Sequence, residues 1–236
     1  MTIKPYQKIR ILECGEPLAP IPLEHFAAQT PHAYQKLHAP YGKLSPYYLR
    51  ETVLENLIQA QNQLQLTHPD WRILIFDAYR PVAVQQFMVD YTFAELVNDQ
   101  QLNLDELNQT QIEELWQQVY QFWATPSLDS ATPPPHSTGA AIDVTLVNEN
   151  GNLVNMGSAI DEISPVSFPD YFANSNDFPE KQYHTHRQLL FKVMQSANFQ
   201  QHPNEWWHFS YGDQMWAWLS QQQNPKERFT AQYGRI

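Results

Sequence analysis

The sequence predicts a single globular domain of the α+β class. Its 236 residues suit one large domain, and 42% of them are hydrophobic, so a sizeable core can be buried. Segments with the three- and four-residue spacing of amphipathic helices are interspersed with short apolar runs typical of buried strands. Because neither an internal repeat nor a long disordered linker divides the chain, we expect one domain over residues 1–236.

Residues 1–44 are predicted to form an extended arm with short turns that lies over the core. Prolines interrupt any long element in this segment, among them Pro17, Pro20, Pro22, Pro31 and Pro40. The first helix is predicted over residues 45–66. Ser45 can cap its N-terminus, and Pro46 suits the first helical position. Apolar residues then recur at helical spacing until the segment His68-Pro69-Asp70 ends the helix.

A buried strand is predicted over residues 71–76, where the letters WRILIF are mainly apolar and β-branched. A proline-rich loop over 125–135 precedes a second strand over 140–147, and residues 148–151 then form a hairpin turn into 152–156. The remaining predicted elements are helices over 81–97, 112–123 and 187–197, an irregular stretch over 157–180, and a final strand over 205–211.

Composition argues against several classes of protein. With 14 basic and 25 acidic residues the net charge is −11, which disfavours binding to nucleic acid or to an anionic membrane through bulk charge. Cys14 is the single cysteine, so an intramolecular disulfide, a zinc ribbon and a cluster held by several thiolates are excluded. Since the segment Met1–Tyr6 lacks the apolar stretch of a secretory signal, we expect a protein that stays in the cytoplasm.

Three short stretches place reactive groups beside apolar strands, and the first is HSTGAAID at 136–143. His136 stands in the predicted loop, and Asp143 lies within the following strand. Burying a lone carboxylate there costs on the order of several kcal/mol unless a cation or hydrogen-bond donors receive it. Taken alone, this stretch leaves a metal site and a purely structural role equally open.

The second stretch, EWWH at 205–208, combines a potential general base with a potential metal ligand. Strand alternation would send Glu205 and His208 to opposite faces, so a shared site requires a twist, a bulge or a turn. The alternative is a tryptophan-rich core strand with two solvated polar ends.

The third stretch is DAYRP at 77–81, directly after the first predicted strand. Arg80 could clamp a carboxylate or a developing oxyanion. The commoner role of an arginine at a strand end is to pair with a neighbouring carboxylate, here Asp77.

Together the three stretches favour a catalytic zinc site. Zinc in hydrolases takes three protein ligands of the histidine and carboxylate type and keeps a fourth position for water. His136, Asp143 and His208 supply that set, Glu205 supplies a base, and Arg80 supplies positive charge. We therefore expect one zinc ion per chain.

The same stretches resemble those of a known family. In order, FDAYRP (76–81), HSTGAAIDVTL (136–146), NMGSAID (155–161) and EWWHF (205–209) are similar to the D-alanyl-D-alanine dipeptidases, zinc peptidases related to bacterial DD-carboxypeptidases and to the hedgehog domain. The resemblance implies a small, mostly antiparallel sheet flanked by helices. Residues 45–212 would form the catalytic core, and 213–236 a C-terminal extension.

The resemblance also implies a role for each candidate residue. The zinc ligands would be His136, Asp143 and His208. Glu205 would be the catalytic base, Arg80 the group that stabilises the tetrahedral intermediate, and Asp161 the carboxylate that receives the free ammonium group of the substrate. The implied partner is a small D-Ala-D-Ala type dipeptide, and neither nucleic acid nor a membrane is expected.

Two positions depart from the pattern of the family. Pro134 stands where serine often precedes the first zinc histidine, so a substrate hydrogen bond from that hydroxyl is lost. Asp161 follows Ile160, where the family often has phenylalanine.

Three alternatives accompany this interpretation. A DD- or LD-carboxypeptidase acting on peptidoglycan peptides would share the zinc and the base, but it would need an open groove on the N-terminal side of its substrate. A non-catalytic zinc or peptide-binding module would not need Glu205. A second metal site at His184, His186 and His202 is disfavoured, because residues two apart do not share a helix face, and we expect these histidines to be solvated.

Overall fold

The computed structural model describes residues 4–236, so the first three residues of the predicted arm and of the segment Met1–Tyr6 lie outside the described residues. The strands are β1 (Leu18–Pro20), β2 (Ala27–Ala28), β3 (Tyr48–Arg50), β4 (Arg72–Asp77), β5 (Ala141–Val147), β6 (Gln200–Gln201) and β7 (His208–Ser210). The helices are α1 (Ala33–Lys36), α2 (Glu51–Thr67), α3 (Val82–Asp99), α4 (Gln109–Phe122), α5 (Phe178–Ser196) and α6 (Gln214–Gln223). Within residues 4–236, none of these helices is both long and apolar enough to span a bilayer.

A five-stranded sheet lies at the centre of the molecule, in the order β2-β4-β5-β7-β6. Only the β2–β4 pair is parallel; the other three pairs are antiparallel. A separate antiparallel ribbon joins β1 to β3. The prediction of one α+β domain with a small, mostly antiparallel sheet is therefore confirmed.

The main core forms between the central strands and helices α2 and α5. Strand β5 is buried along its whole length, which explains its nearly unbroken apolar sequence. Leu57 of α2 and Leu190 of α5 are fully buried in the same cluster. A second cluster joins α3 and α4 to the arm through Val89, Val119 and Tyr34. Helices α2 and α5 thus pack against β4, β5 and β7, the strands that carry Asp77, Asp143 and His208.

The first predicted helix begins later than expected. Residues 45–50 do not extend α2: Tyr48–Arg50 forms strand β3, and the hydroxyl of Ser45 accepts a hydrogen bond from the backbone N–H of Tyr47 in a turn. The prediction was wrong here because β3 pairs with β1 of the arm, a distant contact that helical periodicity does not reveal.

Several boundaries in the second half of the chain also differ. Helix α5 starts at Phe178 rather than 187, because its polar first turns lack an apolar face and Asp177 with the following proline begins the helix. The predicted strand 205–211 is confined to His208–Ser210, and 152–156 contributes only a bridge between Leu153 and Val147. Helix α6 was not predicted; the carboxylate of Asp213 caps it by accepting a hydrogen bond from the N–H of Trp216.

The arm is built into the sheet. Its strand β2 pairs with β4, β1 pairs with β3, and the side chains of His32 and Tyr34 are buried. The prolines restrict the arm to short elements, as predicted, yet its turns reach the polar edge of the central sheet.

Candidate metal centre and active site

Three elements bring His136, Asp143 and His208 together, and we call these residues the His–Asp–His cluster. His136 lies in a short 3-10 turn, Pro135–Thr138, directly before β5. Asp143 of β5 is the register partner of His208, the first residue of β7, so antiparallel pairing sets these two side chains side by side. All three residues are buried. The cluster therefore follows from strand register and from one turn.

The geometry of the cluster suits a metal ion. His136 Nε2 lies 3.2 Å from His208 Nδ1 and 3.2 Å from Asp143 Oδ2, and His208 Nδ1 lies 3.0 Å from Asp143 Oδ1. Ligand atoms around tetrahedral zinc, with bonds of about 2.0 Å, lie about 3.3 Å apart. Two imidazoles and one carboxylate are also a donor set of the kind that catalytic zinc sites use. The residues present therefore fit a bound metal ion.

Backbone contacts orient the histidine of the turn. His136 Nδ1 lies 2.7 Å from the carbonyl oxygen of Ala78, which can only accept, so Nδ1 carries the proton and Nε2 has a free lone pair. Burial alone would raise the pKa of Asp143, but His136 and His208 outweigh it and hold that pKa below its usual value. The carboxylate is thus kept in the charged form that a metal ion requires.

Arg80 lies between two carboxylates at the end of β4. Its Nε donates to Asp77 Oδ2 at 2.8 Å, and its Nη2 donates to Asp143 Oδ2 at 3.2 Å. The Nη2 group also donates to the hydroxyl of Tyr34, and Nη1 donates to the side-chain oxygen of Gln85. Nη1 has no second partner among the described residues, so one N–H is available to a ligand. The pairing with Asp77 that the sequence suggested is present.

Glu205 reaches the cluster because the chain turns just before β7. The turn at 203–204 brings Glu205 Oε2 to 3.8 Å from His208 Nδ1, and Oε1 to 3.7 Å from His202 Nδ1. This is the departure from strand alternation that a shared site requires. Burial raises the pKa of Glu205 well above its usual value, and the charges of Asp143 and Asp161 act in the same direction.

Asp161 lies in the loop after Met156, in the left-handed backbone region with φ of 65°. The hydroxyl of Tyr34 donates to its Oδ2 at 2.7 Å. Burial, with the nearby charge of Asp143, raises the pKa of Asp161 to about 7. Asp161 has no ion pair within 4.0 Å among residues 4–236, and its left-handed backbone is strained for a residue other than glycine.

One pocket contains all six predicted site residues. The cavity that these residues enclose is narrow, with a volume of about 40 Å³. The walls combine the His–Asp–His cluster with Arg80, Glu205 and Asp161, and with the apolar side chains Phe122, Trp123, Trp207 and Met215.

The structure adds pocket residues that the sequence analysis missed. His202, expected to be solvated, lines the pocket beside Glu205, and its Nδ1 accepts a hydrogen bond from the N–H of Asn204. The spacing of three residues from Glu205 could have indicated this position. Lys4 also lines the pocket, while Tyr34 and His32 contact Asp161, Arg80 and Asp77 around it; these arm residues carry no motif by which the sequence could reveal them.

Comparison with known proteins gives a consistent result. A family model described as D-Ala-D-Ala dipeptidase matches residues 27–227. A D-alanyl-D-alanine dipeptidase of Synechocystis sp. is 50% identical over 240 residues, which cover 99% of this chain and 97% of that protein. The D-alanyl-D-alanine dipeptidases of Enterococcus faecalis and Escherichia coli are each 36% identical over shorter stretches, 85 and 74 residues, which cover 40% and 36% of those proteins.

Proposed function

The chain belongs to the D-Ala-D-Ala dipeptidase family of metallopeptidases, and on this basis we propose that it hydrolyses D-Ala-D-Ala type dipeptides to free amino acids. The observation that carries the proposal is the position of the buried Glu205 carboxylate, 3.8 Å from a ligand atom of the His–Asp–His cluster. A binding module needs no carboxylate there, whereas a hydrolase needs a base beside its metal ion.

We assign zinc to the cluster, one ion per chain. His136, Asp143 and His208 would hold it, and their donor atoms and mutual distances support this assignment. When bound, zinc supplies a Lewis acid that lowers the pKa of a water molecule toward about 7 and polarises a carbonyl group. Ala78 supports the site by fixing the tautomer of His136.

Glu205 is proposed as the general base and acid. It accepts a proton from the attacking water and returns it to the amine that leaves when the peptide bond breaks. Burial raises the pKa of Glu205, so its carboxylate is a stronger base than an exposed one. The apolar walls formed by Trp207 and Met215 exclude bulk water from this exchange.

Arg80 is proposed to stabilise the negative charge that grows on the former carbonyl oxygen. Its guanidinium is preorganised by Asp77, Gln85 and Tyr34, so little reorganisation is needed when that charge develops. Removing one such donor in other enzymes costs about 3–4 kcal/mol of transition-state stabilisation.

Asp161 is proposed to bind the ammonium group of the substrate and so to select short peptides with a free N-terminus. The partly buried carboxylate of Asp161 is stabilised when a cation binds to it, and the hydrogen bond from Tyr34 fixes its direction. This arrangement favours a dipeptidase over a carboxypeptidase, because a longer peptide would place an uncharged amide against Asp161.

The test is direct. The purified protein is incubated with D-Ala-D-Ala and with N-acetyl-D-Ala-D-Ala, with and without a chelator, and free alanine is measured. We expect release from the unblocked dipeptide only, loss of activity with chelator, and recovery on adding zinc. Equal turnover of the acetylated peptide would contradict the role of Asp161, and full activity in chelator would contradict a metallopeptidase. A panel of DD, LD and LL dipeptides then defines the stereochemical preference.

A further inference from the structure

A dipeptide brings two opposite charges into the pocket, one on each side of the bond to be cut. Its ends lie about 7 Å apart when it is extended. Asp161 offers a partner to the ammonium group, but the carboxylate at the other end also leaves water. Among apolar walls such as Phe122 and Trp207, a carboxylate without a cationic partner is strongly disfavoured.

The described part of the pocket contains two basic side chains other than histidine, Arg80 and Lys4. Arg80 is already compensated, because Asp77 and Asp143 both lie within 3.2 Å of its guanidinium. The positive charge of Arg80 is therefore largely neutralised before the carboxylate of a substrate binds.

Lys4 is less constrained. The arm carries its side chain into the pocket, where Nζ donates one hydrogen bond of 3.1 Å, to the carbonyl oxygen of Tyr120 in the last turn of α4. Across residues 4–236, Lys4 has no ion pair within 4.0 Å, so two of its three N–H groups remain for a ligand.

Lys4 and Asp161 reach the pocket from different parts of the chain, the N-terminal arm and the loop after Met156. Glu205 lines the same pocket. The pocket therefore offers an ammonium group and a carboxylate on separate elements, one for each charged end of a dipeptide.

We propose that Lys4 binds the α-carboxylate of the C-terminal residue of the dipeptide and is a specificity-determining residue. This inference rests on the proposed function. It also supplies a substrate contact in a chain where Pro134 removes the hydroxyl that the family often has near the first histidine. With Asp161 for the ammonium group and Lys4 for the carboxylate, each charged end of a free dipeptide has a partner in the pocket.

A purely structural role for Lys4 makes a different prediction. A cation near the C-terminal carbonyls of a helix stabilises that helix, so Lys4 could simply fasten the arm to α4. Loss of such a fastening would impair all substrates alike, whereas loss of a carboxylate partner impairs only substrates that carry the carboxylate.

The test compares D-Ala-D-Ala with its C-terminal amide, D-alanyl-D-alaninamide, in the full-length zinc-loaded protein. The variants are Lys4→Met, which keeps the length of the side chain, and Lys4→Arg, which keeps the charge. Lys8→Met is the matched control, because it removes an exposed lysine from the same 3-10 turn of the arm.

We expect Lys4→Met to raise KM for the free dipeptide about ten- to a hundredfold, the range for losing a hydrogen bond to a charged group, with kcat little changed. On the amide, Lys4→Met and the unmodified protein should be equal. Lys4→Arg should retain most of the affinity, and Lys8→Met should change neither substrate.

Equal losses on the acid and the amide, or no loss on either, would overturn the role of Lys4 while leaving the dipeptidase proposal intact. Failure of the unmodified protein to cleave D-Ala-D-Ala would overturn the two together.

Discussion

The His–Asp–His cluster and the N-terminal arm both contribute side chains to the same pocket, but different contacts hold those side chains in place. Asp143 and His208 are register partners on β5 and β7, so their proximity is fixed by backbone hydrogen bonds within the sheet. Lys4 precedes a short 3-10 turn of the arm and Tyr34 lies in the short helix α1, and side-chain contacts with α4, Arg80 and Asp161 hold them there. We infer that the sheet provides the chemistry and that the arm adjusts how the substrate is held.

The largest effect is expected at Glu205, the residue proposed to transfer a proton in the chemical step. Glu205→Gln should lower kcat by about 10²–10⁴-fold, because it removes the group that transfers the proton, while the metal content stays unchanged. Steady-state kinetics together with elemental analysis measure both quantities. Glu114→Gln, at an exposed position on α4, is the control. Near-normal kcat in Glu205→Gln would remove this residue from the chemistry.

The next largest effect, on stability, is expected at Gly212, which lies between β7 and the C-terminal extension. Gly212 follows β7 with φ of 78°, and a Cβ there would lie 2.6 Å from the ring of the buried Tyr233. Gly212→Ala should therefore lower the free energy of unfolding by about 2–4 kcal/mol, from left-handed strain plus overpacking.

Gly151→Ala is the matched control for this substitution. Its φ is 75°, but the space around it is open, so only the conformational strain of about 1 kcal/mol should appear. Urea denaturation measures the two costs. Equal costs would mean that Tyr233 does not hold the extension against the core.

A smaller effect tests the arm. Tyr34→Phe removes the hydroxyl that donates to Asp161 and accepts from Arg80. We expect KM for D-Ala-D-Ala to rise about tenfold and kcat to change less, because the substrate-binding carboxylate loses its orientation while Glu205 is untouched. Tyr171→Phe, at a half-exposed position, should behave like the unmodified protein. A fall in kcat with unchanged KM would indicate that Tyr34 acts in the chemical step rather than in substrate binding.

The smallest effect is expected at Cys14. This thiol is exposed on the arm, and it is absent from the pocket lined by Lys4 and Glu205. Cys14→Ser should leave kcat/KM within error, and treatment of the unmodified protein with a thiol reagent should not inactivate it. Inactivation that Cys14→Ser prevents would show that the outer arm also controls the site.

The two regions also differ in how well they could be predicted. His136, Asp143 and Glu205 stand in motifs whose polar groups interrupt apolar strands. This local pattern can be recognised in the sequence without knowledge of the fold. The contributions of Tyr34 and Lys4 depend on where a proline-rich segment crosses the sheet, which no local pattern encodes.

Similar reasoning explains the errors in the elements. Tyr48–Arg50 follows helical periodicity in sequence but pairs with β1, so a tertiary contact overrides the local preference. His202 was expected to be solvated because it was considered with His184 and His186, whereas the turn after β6 carries it to Glu205. Local sequence patterns therefore predict the candidate catalytic groups, whereas contacts between distant segments determine which side chains surround them.

The central claim is that His136, Asp143 and His208 hold one metal ion. The most direct measurement is the zinc content per chain after equilibration with zinc and removal of the excess, for the unmodified protein and for Asp143→Ala, with His25→Ala at an exposed site as the control. Circular dichroism verifies that each variant is folded. We predict one zinc ion per chain in the unmodified protein and in the control, and almost none in Asp143→Ala. A folded Asp143→Ala protein that still holds one tightly bound zinc ion would contradict the account.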